Sequence, residues 1–188
     1  RRVYLIRHGL TEGNRLRRYI GRTDEPLCAA GRAALSAAPL KGIETVYVSP
    51  LLRARETAAI LFPHARQIVV DGLREMDFGA FENRSADDMK NDAAYRAWVD
   101  GLCEGDCPGG ENRRGFVART VRAFENICAA GGDAQMVIVA HGGTVMALMS
   151  ELGEPKKDYW AWHVGAGGCL RCALDGGRLL YEGDGFDA

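Results

Sequence analysis

The stretch Leu5-Ile6-Arg7-His8-Gly9-Leu10-Thr11-Glu12-Gly13-Asn14 (LIRHGLTEGN) begins as the end of an apolar run and turns at once to arginine, histidine and glycine. Arg2 to Ile6 reads as a short buried strand. Two more strands end in the same unusual way. Thr45 to Val48 (TVYV) runs into Ser49-Pro50 and on to Arg53, and Met136 to Ala140 (MVIVA) runs into His141-Gly142-Gly143. Open, largely parallel sheets bind ligands at the carboxyl ends of their strands. If these three strands are neighbours, two histidines and two arginines converge on one crevice.

The rest of the chain fits such a sheet. Helices are expected over EPLCAAGRAALSAAPL, after a turn and closed by Pro39, and over LLRARETAAILF, with Leu51, Ala54, Ala58 and Leu61 on one face and Pro63 as the stop. Ile68 to Val70 is a third strand. A helix is expected from Ser85 to about Val99, opened by a Ser85/Asp88 capping box. The loop GLCEGDCPGGENRRG is rich in turn residues. It leads to a helix with Val117, Val121, Phe124 and Cys128 on one stripe, and another helix covers GTVMALMSEL. GCLRCALD and RLLYEG form a closing hairpin around Asp175-Gly176-Gly177. Strands alternating with helices predict an α/β fold with a largely parallel sheet.

The totals set the frame. The 188 residues fit one domain, 1–188, large enough to bury roughly 70% of the surface its unfolded chain exposes. A net charge of −1 gives no overall field to attract nucleic acid or an anionic membrane. The basic residues are 20 Arg and 4 Lys, a skew that an anionic ligand or a GC-rich coding bias would each produce. No apolar run approaches the ~20 residues of a membrane span. Arg1-Arg2-Val3 lacks the apolar core of a signal peptide, so a cytoplasmic protein is expected, and the missing initiator methionine predicts trimming or disorder ahead of Arg1. Of the six cysteines, Cys169 and Cys172 lie three apart on a strand and so face opposite ways. Cys103 and Cys107 sit in a loop with no second ligand pair to complete a zinc site. Free thiols are expected, with no metal and no cofactor.

The crevice has a chemistry of its own. Histidine can act as nucleophile, base or metal ligand; arginine binds oxyanions and cannot act as a base. Two arginines around a histidine disfavour a divalent cation and favour phosphate or carboxylate. Glycines after both histidines permit close approach, and in HGGTV the amides lie at a helix N-terminus, where anions bind. LREMDFG adds Glu75 and Asp77 as candidate proton donors for a leaving group.

RHGLTEGN resembles the signature of the histidine phosphatase superfamily, which includes the cofactor-dependent phosphoglycerate mutases. GRTDEPLCAAG, SPLLRARETA, LREMDFGAFE, PGGEN and VAHGG resemble further motifs of the same family, in order and over almost the whole chain. The resemblance implies a phosphoglycerate mutase-like, three-layer α/β/α sandwich with a mostly parallel mixed sheet. It also implies roles. His8 would be the nucleophile and form a phosphohistidine. Arg7, Arg53 and His141 would hold the phosphoryl oxygens, and Glu75 would protonate the leaving oxygen. Asn14, Gly21 and Gly142 would complete a pocket for a small phosphorylated metabolite. Arg55 is read as structural or surface, His64 as solvated, and His163 as packed or pocket-lining.

The sequence departs from the mutase pattern where a second anionic group would be held. Glu75-Met76-Asp77-Phe78-Gly79 stands in place of Glu-Arg-His-Tyr-Gly, Ile20 in place of a small hydroxyl residue, and only Arg84 lies near the expected lysine. Hydrolysis is therefore expected. REMDFGAFE, the Tyr95 to Phe116 segment and YWAWHVGAGGC resemble the α-ribazole phosphatases within the family, with Trp98, Trp160 and Trp162 available to cover a nucleoside-like group. Asn83 replaces the glycine usual after the Phe-Glu pair. A broad-specificity phosphatase is the alternative, with a mutase or a non-catalytic phosphate-binding module behind it.

Overall fold

Strand β1 (Arg2–Arg7) buries both faces, which is what an interior strand of a covered sheet requires. Val3 and Leu5 point into one apolar cluster, Tyr4 and Ile6 into another. The structure, a computed structural model, describes residues 1–132 and 134–186. Its sheet adds β2 (Thr45–Val48), β3 (Arg66–Val69), β4 (Gln135–Ala140), β5 (Gly153–Glu154), β6 (Cys169–Asp175) and β7 (Arg178–Asp184) in the order β3-β2-β4-β1-β6-β7-β5. The β3–β2, β2–β4, β4–β1 and β7–β5 pairs are parallel, and β6 is antiparallel to both neighbours. This is the mixed, mostly parallel sheet the sequence predicts, with β6–β7 as its hairpin.

Helices cover both faces. Helices α1 (Glu12–Arg15) and α2 (Ala29–Ala33) are short, and α3 (Leu52–Leu61) lays Ala54, Ala58 and Leu61 on the face of Tyr4 and Ile6. After α4 (Ala93–Asp100), α5 (Arg113–Ala129) and α6 (Gly142–Leu152) cover the opposite face with Phe124, Ile127, Leu148 and Met149. The result is a three-layer α/β/α sandwich, the architecture the resemblance implies. Cys169 and Cys172 enter the two opposite cores, as their spacing requires. A third cluster, around Phe81, Met89, Tyr95 and Trp98, joins the segment between β3 and α5 to Phe116 of α5 and Ala147 of α6. Among the described residues, no helix is long and apolar enough to cross a membrane.

Several expectations are corrected. The Ser85/Asp88 exchange forms, with Ser85 N–H donating to Asp88 at 2.8 Å and Asp88 N–H to Ser85 Oγ at 3.1 Å, but it closes turns and not a helix. A second cap takes over at Asp92, whose carboxylate accepts from Ala94 and Tyr95 N–H, and α4 starts there. The helix expected before Pro39 stops at Ala33, and Leu35 turns in against the core beside α3. On α5 the buried stripe is Phe116, Thr120, Ala123, Phe124 and Ile127, with Val117, Val121 and Cys128 at its edge. Asn83 lies at φ 59°, a left-handed conformation that glycine adopts freely and asparagine tolerates better than most residues.

Candidate active site

The register of the central strands builds the site. Arg7 pairs with Ala140, and the next hydrogen bond beyond them, His8 N–H to the Ala140 carbonyl at 2.9 Å, sets His8 beside His141. Their ring centroids are 5.2 Å apart, edge to face. Both side chains are buried. His8 Nδ1 lies 2.6 Å from the Gly9 carbonyl. A carbonyl only accepts, so Nδ1 carries the hydrogen and Nε2 keeps its lone pair. Burial, reinforced by the Arg53 charge, drives the pKa of His8 down to about 3. His8 is thus a neutral imidazole of one fixed tautomer at any physiological pH.

Arg53 enters from the first turn of α3 and is 0% exposed. Its guanidinium donates to the carbonyls of Thr23 at 2.6 Å, Gly21 at 2.7 Å and Ile20 at 3.3 Å, and its Nε has no partner among the described residues. Thr57, one turn on, donates to the Arg53 carbonyl and accepts from Gly9 N–H at 2.9 Å, tying the helix to the His8 loop. Arg7 donates through Nη1 to the Val164 carbonyl at 2.7 Å and lies 3.4 Å from His163 Nε2; its Nε also has no partner among the described residues. His141 Nε2 meets Ser49 Oγ at 2.7 Å, and its Nδ1 has no partner among the described residues. Burial, with Arg53 and His8 close by, holds the His141 pKa well below the ordinary value.

Glu75 faces this group. One carboxylate oxygen accepts from Met76 N–H at 2.9 Å, the other from Gly143 N–H at 3.0 Å in the first turn of α6. Burial raises its pKa against the opposing pull of these bonds and of Arg53 and Arg7. A raised pKa keeps a carboxyl available as an acid.

A cavity of about 200 Å³ opens above His8. Arg7, Asn14, Glu75 and Gly142 line it with His8, while Arg53 and His141, both close to His8, are not part of its lining. Asn14 belongs to the reciprocal cap of α1, its Oδ1 taking the Thr11 N–H. Gly142 packs against the Arg7 side chain. Gly21 does not reach the cavity. It lies under the Met76 carbonyl, where a Cβ would collide with backbone, and it offers its carbonyl to Arg53. Asp77 caps Gly79 N–H and pairs with Arg22, away from the cavity. Tyr19, Phe78, Trp98, Tyr159 and Trp160 form an aromatic wall. Trp162 does not join it, being buried against Tyr181. His163 is exposed and lines the cavity, and Arg55 and His64 lie on the surface.

Sequence reasoning missed Ser49, Thr57 and Glu82 as supports. Glu82 accepts from Gly21, Arg22, Thr23 and Phe78 N–H and so holds the loop that Arg53 grips. The one local signal was the Arg53–Thr57 spacing, which puts both on one face of a helix.

A neutral histidine with a free ring nitrogen, the charges of Arg7 and Arg53 close by and a protonatable carboxyl in the same cavity can bind an oxyanion and take its phosphoryl group onto that nitrogen. Known proteins agree. Residues 3–182 match the model of the Histidine phosphatase superfamily (branch 1). The "Probable phosphoglycerate mutase GpmB" of Serratia proteamaculans (strain 568) is 34% identical over 162 residues, 81% of this chain and 75% of that one. The "Putative phosphoserine phosphatase 2" of Hydrogenobacter thermophilus is 31% identical over 192 residues, 96% and 94% of the two chains. The solved alpha-ribazole phosphatase from Shigella flexneri superposes with a TM-score of 0.84 at 25% identity, covering 97% of this chain and 95% of that one. The chain belongs to the histidine phosphatase superfamily, branch 1. By class it is a metal-independent histidine phosphatase.

Two outcomes are expected. A Cβ at position 143 would fall inside the Glu75 carboxylate, a flexible end that can move aside. Gly143→Ala should therefore keep the fold and its melting temperature while losing about 10²-fold or more in kcat; retained activity would contradict this placement of Glu75. The second concerns pH. The unfolded chain protonates His8 near 6.5, the folded one only near 3. Between those values the unfolded state binds more protons, so stability falls as pH falls. Between about pH 7 and about pH 5, the urea midpoint of the wild type should drop further than that of His8→Asn. Equal drops would contradict a neutral buried His8.

Proposed function

We propose that residues 1–188 form a single histidine phosphatase domain that hydrolyses a small phosphomonoester through a phosphohistidine on His8. The observation that carries this reading is the Nδ1–H bond from His8 to the Gly9 carbonyl. It leaves Nε2 as the only nucleophilic atom of that ring, near nitrogens of Arg7, Arg53 and His141 that have no partner among the described residues. Nε2 attacks phosphorus, the ester P–O bond breaks, and Glu75 gives its proton to the leaving oxygen. Arg7, Arg53 and His141 take the phosphoryl oxygens, and Asn14 and the Gly142 backbone complete their shell. Water then attacks the phosphohistidine, Glu75 takes a proton back, and His8 and phosphate are released. Positioning and charge stabilisation supply most of such catalysis, and no step calls on a metal or cofactor. The cytoplasm is the proposed location.

Hydrolysis is favoured over mutase chemistry by the cavity wall. Met76, Phe78 and Ile20, at the positions where the mutase pattern has polar groups, all line the cavity as apolar surface. Those three positions offer no polar group to a second anion, although Arg18 and Arg113 line the cavity elsewhere. For the substrate, the aromatic wall supports α-ribazole phosphate, as does the likeness to the Shigella flexneri enzyme. Trp160 is 52% exposed at the cavity, placed to stack on a base-like group.

A panel of α-ribazole phosphate, phosphoserine, 3-phosphoglycerate and sugar phosphates tests this. Activity should vanish in His8→Ala and be highest on α-ribazole phosphate. Activity spread evenly over the panel would remove the substrate assignment, and activity surviving His8→Ala would remove the mechanism.

A further inference from the structure

The PGGEN loop has no part in the chemistry above, yet its Glu111 reaches the backbone next to Glu75. Glu111 Oε2 accepts from Asp77 N–H at 2.9 Å, and Glu111 N–H donates to the Asp77 carbonyl at 2.9 Å. Arg119, two turns into α5, meets the same carboxylate with both prongs, Nε to Oε1 at 2.8 Å and Nη2 to Oε2 at 2.7 Å. Its remaining donors go to the carbonyls of Gly72 at 3.1 Å, Arg74 at 2.9 Å and Glu75 at 3.1 Å. All five guanidinium hydrogens are engaged, and every one lands on Glu111 or on the backbone that leads to Glu75.

That backbone needs holding. Residues 74–78 leave a single 3₁₀ turn, Asp71–Leu73, and belong to no strand or helix, so no ladder satisfies their carbonyls. Neither Arg119 nor Glu111 lines the catalytic cavity. Burial pushes the Glu111 carboxyl up, but the Arg119 and Asp77 bonds outweigh it and keep the group below its ordinary value. The clamp is therefore an ion pair that stays charged.

We propose that Arg119 and Glu111 are positioning residues, a guanidinium–carboxylate clamp that fixes the chain on both sides of Glu75 and so aims its carboxyl at the leaving oxygen. This rests on the reading of Glu75 as the proton donor.

Leaving-group dependence tests it. Glycerol 2-phosphate leaves as an alkoxide and needs the proton, whereas 2,4-dinitrophenyl phosphate leaves as a stable phenolate and does not. The value of kcat/KM reports the first phosphoryl transfer for each. Arg119→Lys keeps the charge but loses the fork. It should lose about 10²-fold in kcat/KM on glycerol 2-phosphate, the scale of a misplaced catalytic group, with little change on the dinitrophenyl ester. Glu111→Gln should show the same selectivity, and Arg119→Lys should add nothing in a Glu75→Gln background. Thermal melts of both single variants show whether the fold persists. Equal losses on the two esters, or full additivity with Glu75→Gln, would overturn the clamp. If Glu75→Gln itself shows no selectivity for the alkyl ester, the failure lies with Glu75 as the acid.

Discussion

The parallel pairing of β1 with β4 is the constraint on which the site depends. Its register sets Arg7 opposite Ala140, and its last bond carries His8 N–H onto the Ala140 carbonyl. The neighbouring β2 pairs Val48 with Val139, and Ser49 N–H continues that ladder to the Val139 carbonyl. His8, His141 and Ser49 thus stand one step past three adjoining strands, held by backbone bonds before any side chain acts. A slip of one residue would swap Val3 and Leu5 with Tyr4 and Ile6 between the two cores. The same apolar pattern that fixes the sheet therefore fixes the pair of histidines.

Gathering cationic groups behind that edge works against folding. Arg53 is removed from water, and burying an unpaired charge is costly unless hydrogen bonds replace its hydration. The carbonyls of Ile20, Gly21 and Thr23 do so only in part, and Nε finds no acceptor among the described residues. Glu75 is the acid whose charge is felt at both Arg7 and Arg53. An arriving phosphoryl group would bring the missing acceptors and negative charge. A site built this way is pre-organised for the transferring group and keeps His8 uncharged, at the expense of stability in acid.

Much of this was legible in the sequence. Polar residues placed directly after short apolar strands located the edge, and the Arg53–Thr57 helix carried its own periodicity. What was not legible depends on contacts between distant segments. Arg119 reaches carbonyls 44 to 47 residues away, and nothing local marks such a bond. Gly21 looked like a pocket residue, but its lack of a side chain serves packing under the Met76 carbonyl. Trp160 and Trp162 read alike in sequence, yet the 3₁₀ turn Tyr159–Trp162 exposes one and buries the other against Tyr181. At Ser85 two caps seven residues apart competed, and the second, at Asp92, starts the helix.

The central claim is that phosphate passes through Nε2 of His8. Rapid acid-free quenching of the enzyme during turnover of a phosphomonoester, followed by peptide mass spectrometry under alkaline conditions, tests it directly. The account predicts one phosphoryl group on His8, labile in acid and linked at Nε2. A phosphoryl group on another residue, or none on His8 while product accumulates, would contradict it.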